Sequence, residues 1–97
     1  MRVVGLHLVE AFKRKHPTSR KALDRWIKIL RETEIRNFSE LRRIFPAADL
    51  VGTKTVFNIG GNKVRAITLI EFGIQLLVIT AVLTHAEYDK GTWRHDP

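Results

Sequence analysis

Residues 67–83 read ITLIEFGIQLLVITAVL, and whether this apolar run crosses a membrane or folds into a sheet decides the architecture. Its 17 residues fall short of the roughly 20 apolar residues that a helical span needs. Glu71, Gly73 and Gln75 also interrupt it near the middle, where a charge in hydrocarbon is costly. A hairpin fits better: one strand over residues 63–72, a turn at Gly73, and a second strand from Ile74 or Gln75 to Leu83. Residues 76–82 are apolar at both alternating sets of positions, which implies a central strand covered on both faces by the rest of the domain or by a partner.

Upstream, residues 53–59 alternate Thr53, Thr55, Phe57 and Ile59 with Lys54, Val56 and Asn58, a period-two pattern rich in β-formers. The following GGN, residues 60–62, suits a hairpin turn, because these residues tolerate positive φ. Before residue 46 the period changes. Leu23, Trp26, Ile27 and Leu30 fall at i, i+3, i+4 and i+7, a single helical stripe that places Trp26 in the core. A shorter helix precedes it, with Leu8, Val9 and Phe12 on one face and Lys13, Arg14 and Lys15 at its negative pole. Pro17 ends that helix and suits the first turn of the next. A third helix starts at an Asn37 or Ser39 cap, buries Leu41, Ile44 and Phe45, and stops at Pro46. Residues 2–4 add a short edge strand. The expectation is one α+β domain over residues 1–97, with N-terminal helices packed on an antiparallel sheet formed mainly by the C-terminal half.

The chain contains no cysteine, which removes disulfides, thiolate nucleophiles and sulfur-ligated zinc. The N-terminal decapeptide lacks a long apolar core and a small-residue cleavage site, so the expected compartment is the cytoplasm, with no membrane association. The formal charge is +7. All of that excess lies in residues 1–45, with 12 Lys and Arg against 5 acids, whereas residues 46–97 carry 5 of each. Such a field suits an anionic partner such as RNA, DNA or an acidic protein, although a merely solvated basic surface has the same composition.

Two constellations can carry chemistry. Lys63 and Arg65, two apart in the expected strand, share a face that Lys54 and Asn58 can join from the preceding strand, giving a cationic patch suited to phosphate oxygens. The segment THAEYDK, residues 84–90, offers proton-transfer groups in His85, Glu87 and Tyr88. If it is extended, His85 and Glu87 share a side. If it is helical, His85, Tyr88 and Asp89 come together. A divalent-ion site completed by His95 and Asp96 is a rival, but without Cys or a helical HExxH pattern no metal is expected. His16, before Pro17, reads as a helix-boundary residue, and His7 as a surface one. There is no GxGxxG, Walker A or GxSxG motif to support nucleotide-dependent or serine chemistry.

FPAADLVGTKTVFNIGGNKVRAI, residues 45–67, followed by VLTHAEYDK, residues 82–90, resembles the HigB-type toxins of bacterial toxin–antitoxin modules. KHPTSRKALDRWIKILRE, residues 15–32, is similar to their helical half, so the likeness spans residues 12–90. The resemblance implies a RelE-like fold and an endoribonuclease that needs no metal or other cofactor. It further implies cleavage of mRNA on the translating ribosome and neutralisation by a cognate antitoxin, commonly a helix-turn-helix protein through which DNA is contacted only indirectly. Carried onto this chain, it makes Lys63 and Arg65 phosphate-facing and His85, Glu87 and Tyr88 the proton-transfer region. Beside these, Lys54, Asn58, Asn62 and Lys90 are expected as further RNA contacts. Family members often carry an aromatic residue where this chain has Val64, and residues 93–97 fall in a variable region given little weight. The competing expectation is a non-catalytic module that binds RNA, or that acts on a protein as the ParE-type gyrase poisons of the same fold do.

Overall fold

The computed structural model describes residues 1–61 and 63–95. The chain runs β1 (Arg2–Val4), α1 (Leu6–Lys15), a 3₁₀ turn (Pro17–Ser19), α2 (Arg20–Glu32), α3 (Phe38–Ile44), β2 (Asp49–Val51), β3 (Lys54–Ile59), β4 (Val64–Glu71), a second 3₁₀ turn (Phe72–Ile74), β5 (Leu76–Thr84), α4 (His85–Asp89) and a last 3₁₀ turn (Thr92–His95). The α+β expectation holds: five strands in the order β1-β5-β4-β3-β2 form one sheet, with α1, α2 and α3 on one face. No helix among the described residues is long and apolar enough to cross a membrane.

The apolar run at residues 67–83 is the β4–β5 hairpin. Its turn is made by the second 3₁₀ segment and by Gln75, whose φ is 52°. The Gln75 amide offsets that backbone cost by donating through Nε2 to Ile35 O at 2.6 Å and accepting from Ile35 N at 3.2 Å, which ties the hairpin to the chain between α2 and α3.

Two features depart from the expected all-antiparallel sheet. β1 runs parallel to β5, with Val3 opposite Leu77, and β2 forms an additional edge strand antiparallel to β3. β1 can lie parallel because Gly5, at φ 98°, turns the chain directly into α1, which crosses over the sheet. A Cβ at Gly5 would stand 2.6 Å from the Ile79 carbonyl oxygen. Gly5→Ala therefore combines a left-handed backbone with a clash against a fixed strand, and should cost about 1–3 kcal/mol in urea unfolding.

The helical stripe reads as the sequence dictates. Val9 and Phe12 of α1, Leu23, Trp26 and Leu30 of α2, and Leu41 of α3 are buried against Phe57, Ile59, Val64, Ala66, Leu77 and Ile79 of the sheet. The third helix is capped by Asn37, whose Oδ1 accepts from Glu40 N at 2.9 Å. Ile44 departs from expectation: at 38% exposure it lies at the open edge of the helical layer. The opposite face of the sheet carries a second, smaller core of Val56, Ile67 and Trp93, flanked by Ala81, Leu83 and Tyr88. That cluster covers the outer face of the central strands and places the C-terminal segment against β4.

Candidate active site

The segment after β5 is helical, so of the two arrangements left open by the sequence the one that gathers His85, Tyr88 and Asp89 is realised. Thr84 caps α4. Its hydroxyl accepts from Glu87 N at 3.2 Å while Glu87 Oε1 accepts from Thr84 N at 2.9 Å, a reciprocal capping box. One turn on, His85 Nδ1 lies 2.8 Å from Asp89 Oδ2. With a proton on Nδ1 donated to that carboxylate, Nε2 keeps its lone pair for proton transfer.

Glu87 is held below the ordinary glutamate range, first by the Thr84 backbone N–H and then by the Thr84 side chain, with the charges of His16 and Lys15 acting in the same direction. This makes it a weaker base than a free carboxylate. Because the folded-state value is depressed, the capping bond contributes stability above the unfolded glutamate range and loses it as pH falls through and below that range. Glu87→Gln should flatten this acid-side loss of α4 order, measured by amide exchange at Glu87 between pH 3 and pH 6 (about one to two units either side of an unperturbed carboxylate).

Arg65 and Tyr88 meet. The Arg65 guanidinium lies 5.3 Å from the centre of the Tyr88 ring. The other side of that ring stacks on Trp93 at 4.9 Å and 16°, and Trp93 Nε1 donates to Tyr88 O at 2.9 Å. Arg94 covers the Trp93 ring at 5.4 Å. Tyr88 is thus fixed from both faces while its hydroxyl end is carried on a half-buried side chain. Asn58 pairs directly across from Arg65 in the β3–β4 ladder, so these two share a face as the hairpin register required.

Lys63 does not sit where the sequence placed it. Gly60, Gly61 and Lys63 lie in the turn, and β4 begins at Val64, paired with Ile59. Lys63 therefore precedes the strand, outside its alternation with Arg65. It lines a cavity of about 280 Å³ on the helical side with Phe12, His16, Thr18 and Thr84. Lys54 is a second departure. It is 7% exposed, and its Nζ donates to Trp93 O at 2.9 Å, so it anchors the C-terminal segment beneath the sheet. Lys90 is exposed and lines a cavity of about 250 Å³ with Glu87 and Trp93. Asn62 and Asp96, with the His95 side chain, lie outside what the structure describes. Among the described residues no group of three or more His, Asp or Glu could hold a metal ion.

Trp93, Lys15 and His16 were not expected to take part in the site. Trp93, expected to carry little weight, is 4% exposed and orders both Tyr88 and Lys54. Asp89, grouped with His85 and Tyr88 in the helical alternative, orients His85 at the i, i+4 spacing. Lys15 and His16, at the end of α1, face Glu87 across a cavity of about 190 Å³. Their signal was the KRKH run itself, which reads equally well as cations at a helix C-terminus.

Residues 19–91 match the family model for the HigB toxin, described as the RelE-like toxic component of a toxin–antitoxin system. The chain belongs to the HigB toxin family. A HigB described as an mRNA interferase, from Escherichia coli, is 30% identical over 95 residues, covering 95% of this chain and 92% of that protein. An mRNA interferase HigB of Shigella flexneri is 38% identical over 58 residues, 57% of this chain and 56% of its own length. The matched HigB region contains Arg65, His85, Glu87 and Tyr88, and stops just short of Trp93. HigB toxins of this kind are endoribonucleases, the enzyme class the sequence had suggested.

Proposed function

We propose that this HigB-family chain cleaves mRNA on the translating ribosome, in the cytoplasm, and is neutralised by a cognate antitoxin of helix-turn-helix type. The observation that carries the reading is the contact of Arg65 with Tyr88 beside the His85–Asp89 pair. It joins a fixed anion-binding fork to two proton-transfer groups on neighbouring elements.

The reaction is attack of a ribose 2′-OH on the adjacent phosphorus, with departure of the 5′ oxygen, leaving a 2′,3′-cyclic phosphate and a 5′-OH. Arg65 stabilises the charge that develops on the non-bridging phosphate oxygens. His85, its Nδ1 held by Asp89, takes the 2′-OH proton, or Glu87 does so at the same helix end. Tyr88 donates a proton to the leaving oxygen. Lys63 and Lys90 flank α4 from the helical side and from the C-terminal segment and bind neighbouring phosphates, and Asn58 contacts RNA beside Arg65. The basic outer faces of α1 and α2 steer the chain toward ribosomal RNA.

Mapping transcript 5′ ends after induction tests the reading, with Arg65→Ala as the control. New 5′-OH ends at defined mRNA positions, absent in the control, are expected. Intact mRNA accompanied by DNA damage would transfer the chain to the gyrase-poison mode of action.

A further inference from the structure

A cavity of about 480 Å³ opens between α2, α3 and the end of β3, away from α4. Its floor is apolar, formed by Trp26, Ile44, Phe45 and Ile59, and Lys21 and Arg25 stand on its rim. Two features call for an occupant. Ile44 is left 38% exposed at the edge of an otherwise buried layer. Neither Lys21 nor Arg25 has an ion-pair partner among the described residues, and Asp24, between them in sequence, is held by Lys13.

We infer that this groove binds an acidic amphipathic segment of a protein partner, with an apolar side chain over Ile44 and Ile59 and carboxylates at Lys21 and Arg25. The inference rests on reading the chain as a toxin, whose antitoxin supplies such a segment. Charge complementarity alone would also admit a phosphodiester, but an RNA occupant needs a ring face on which to stack. Trp26 is buried against Phe57 at 5.2 Å, and the half-buried Phe45 is engaged with the same ring at 5.2 Å and 90°. An apolar floor beneath a cationic rim matches the helix-in-groove mode of peptide recognition. The groove lies on the helical face of the sheet, and α4 is not among the elements that line it.

The test uses the full chain labelled with ¹⁵N and a synthetic helical peptide of Leu and Glu with Leu at i, i+3 and i+4, alongside a Lys-for-Glu control peptide. The Trp26 indole resonance, assigned by Trp26→Phe, is expected to move saturably with the acidic peptide. The Trp93 indole, already bonded to Tyr88 O, stays in place. Ile44→Glu and the pair Lys21→Glu with Arg25→Glu should each weaken binding at least tenfold, and Arg25→Lys far less. An unmoved Trp26 resonance, equal response to the Lys control, or displacement of the peptide by a short single-stranded RNA would overturn the inference. Transcript cleavage by the wild-type chain is scored separately, so loss of the toxin reading and loss of the groove are distinct results.

Discussion

Tyr88→Phe should lower RNA cleavage about 10²–10⁴-fold, the range associated with loss of one general acid, with no measurable change in unfolding. The phenylalanine ring keeps the stack on Trp93 at 4.9 Å and the contact with Arg65 at 5.3 Å, so only the hydroxyl is removed. The assay is single-turnover cleavage of ribosome-bound mRNA, with urea unfolding measured in parallel. If Tyr88 serves only as a packing surface, Tyr88→Phe will cleave at the wild-type rate. Leaving-group protonation would then fall to His85 or Lys90.

Trp93→Ala should have the largest effect on stability, about 3 kcal/mol, near the lower end for loss of a buried aromatic. Trp93 fills the outer face of the sheet beside Val56 and Ile67, its indole N–H satisfies Tyr88 O, and its own carbonyl satisfies Lys54. Removing the ring leaves the Lys54 ammonium beside an emptied pocket and releases one face of Tyr88. Cleavage should fall even at temperatures where the chain stays folded, because the Arg65–Tyr88 geometry loses its backing. Thermal unfolding followed by circular dichroism gives the first quantity, and cleavage at 20 °C (a temperature at which a domain retaining a few kcal/mol remains folded) gives the second. Trp93→Phe, which keeps most of the stack, should recover more of both than Trp93→Leu.

The helical half was legible because periodicity is a strong signal when one face is buried: Leu23, Trp26 and Leu30 fall on a stripe and are all within the core. The β3–β4 hairpin was legible from its glycines, and Gly60 and Gly61 do adopt positive φ. β2 was not, since three residues that include Asp49 carry no alternation to detect. Lys63 was assigned one position too far into the strand, the kind of boundary error that pattern reading invites. For a cation this matters more than for an apolar residue, because it moves the charge to the helical side of the turn. The helix at residues 85–89 was detectable. Thr84 and Glu87 stand in the Thr-x-x-Glu spacing of a capping box, which argues against an extended segment. What no local pattern could supply was the return of Trp93 onto the sheet, a contact between residues distant in sequence that converts Lys54 from an expected RNA contact into a buried anchor.

The proposed cleavage requires Arg65 and Tyr88 to act on one scissile linkage. The most direct measurement is a double-mutant cycle with Arg65→Ala and Tyr88→Phe, read as single-turnover cleavage rates. Groups that serve one transition state are strongly non-additive, so the double variant is expected to lose little more activity than the worse single one. Losses that multiply, or singles that both cleave normally, would contradict it.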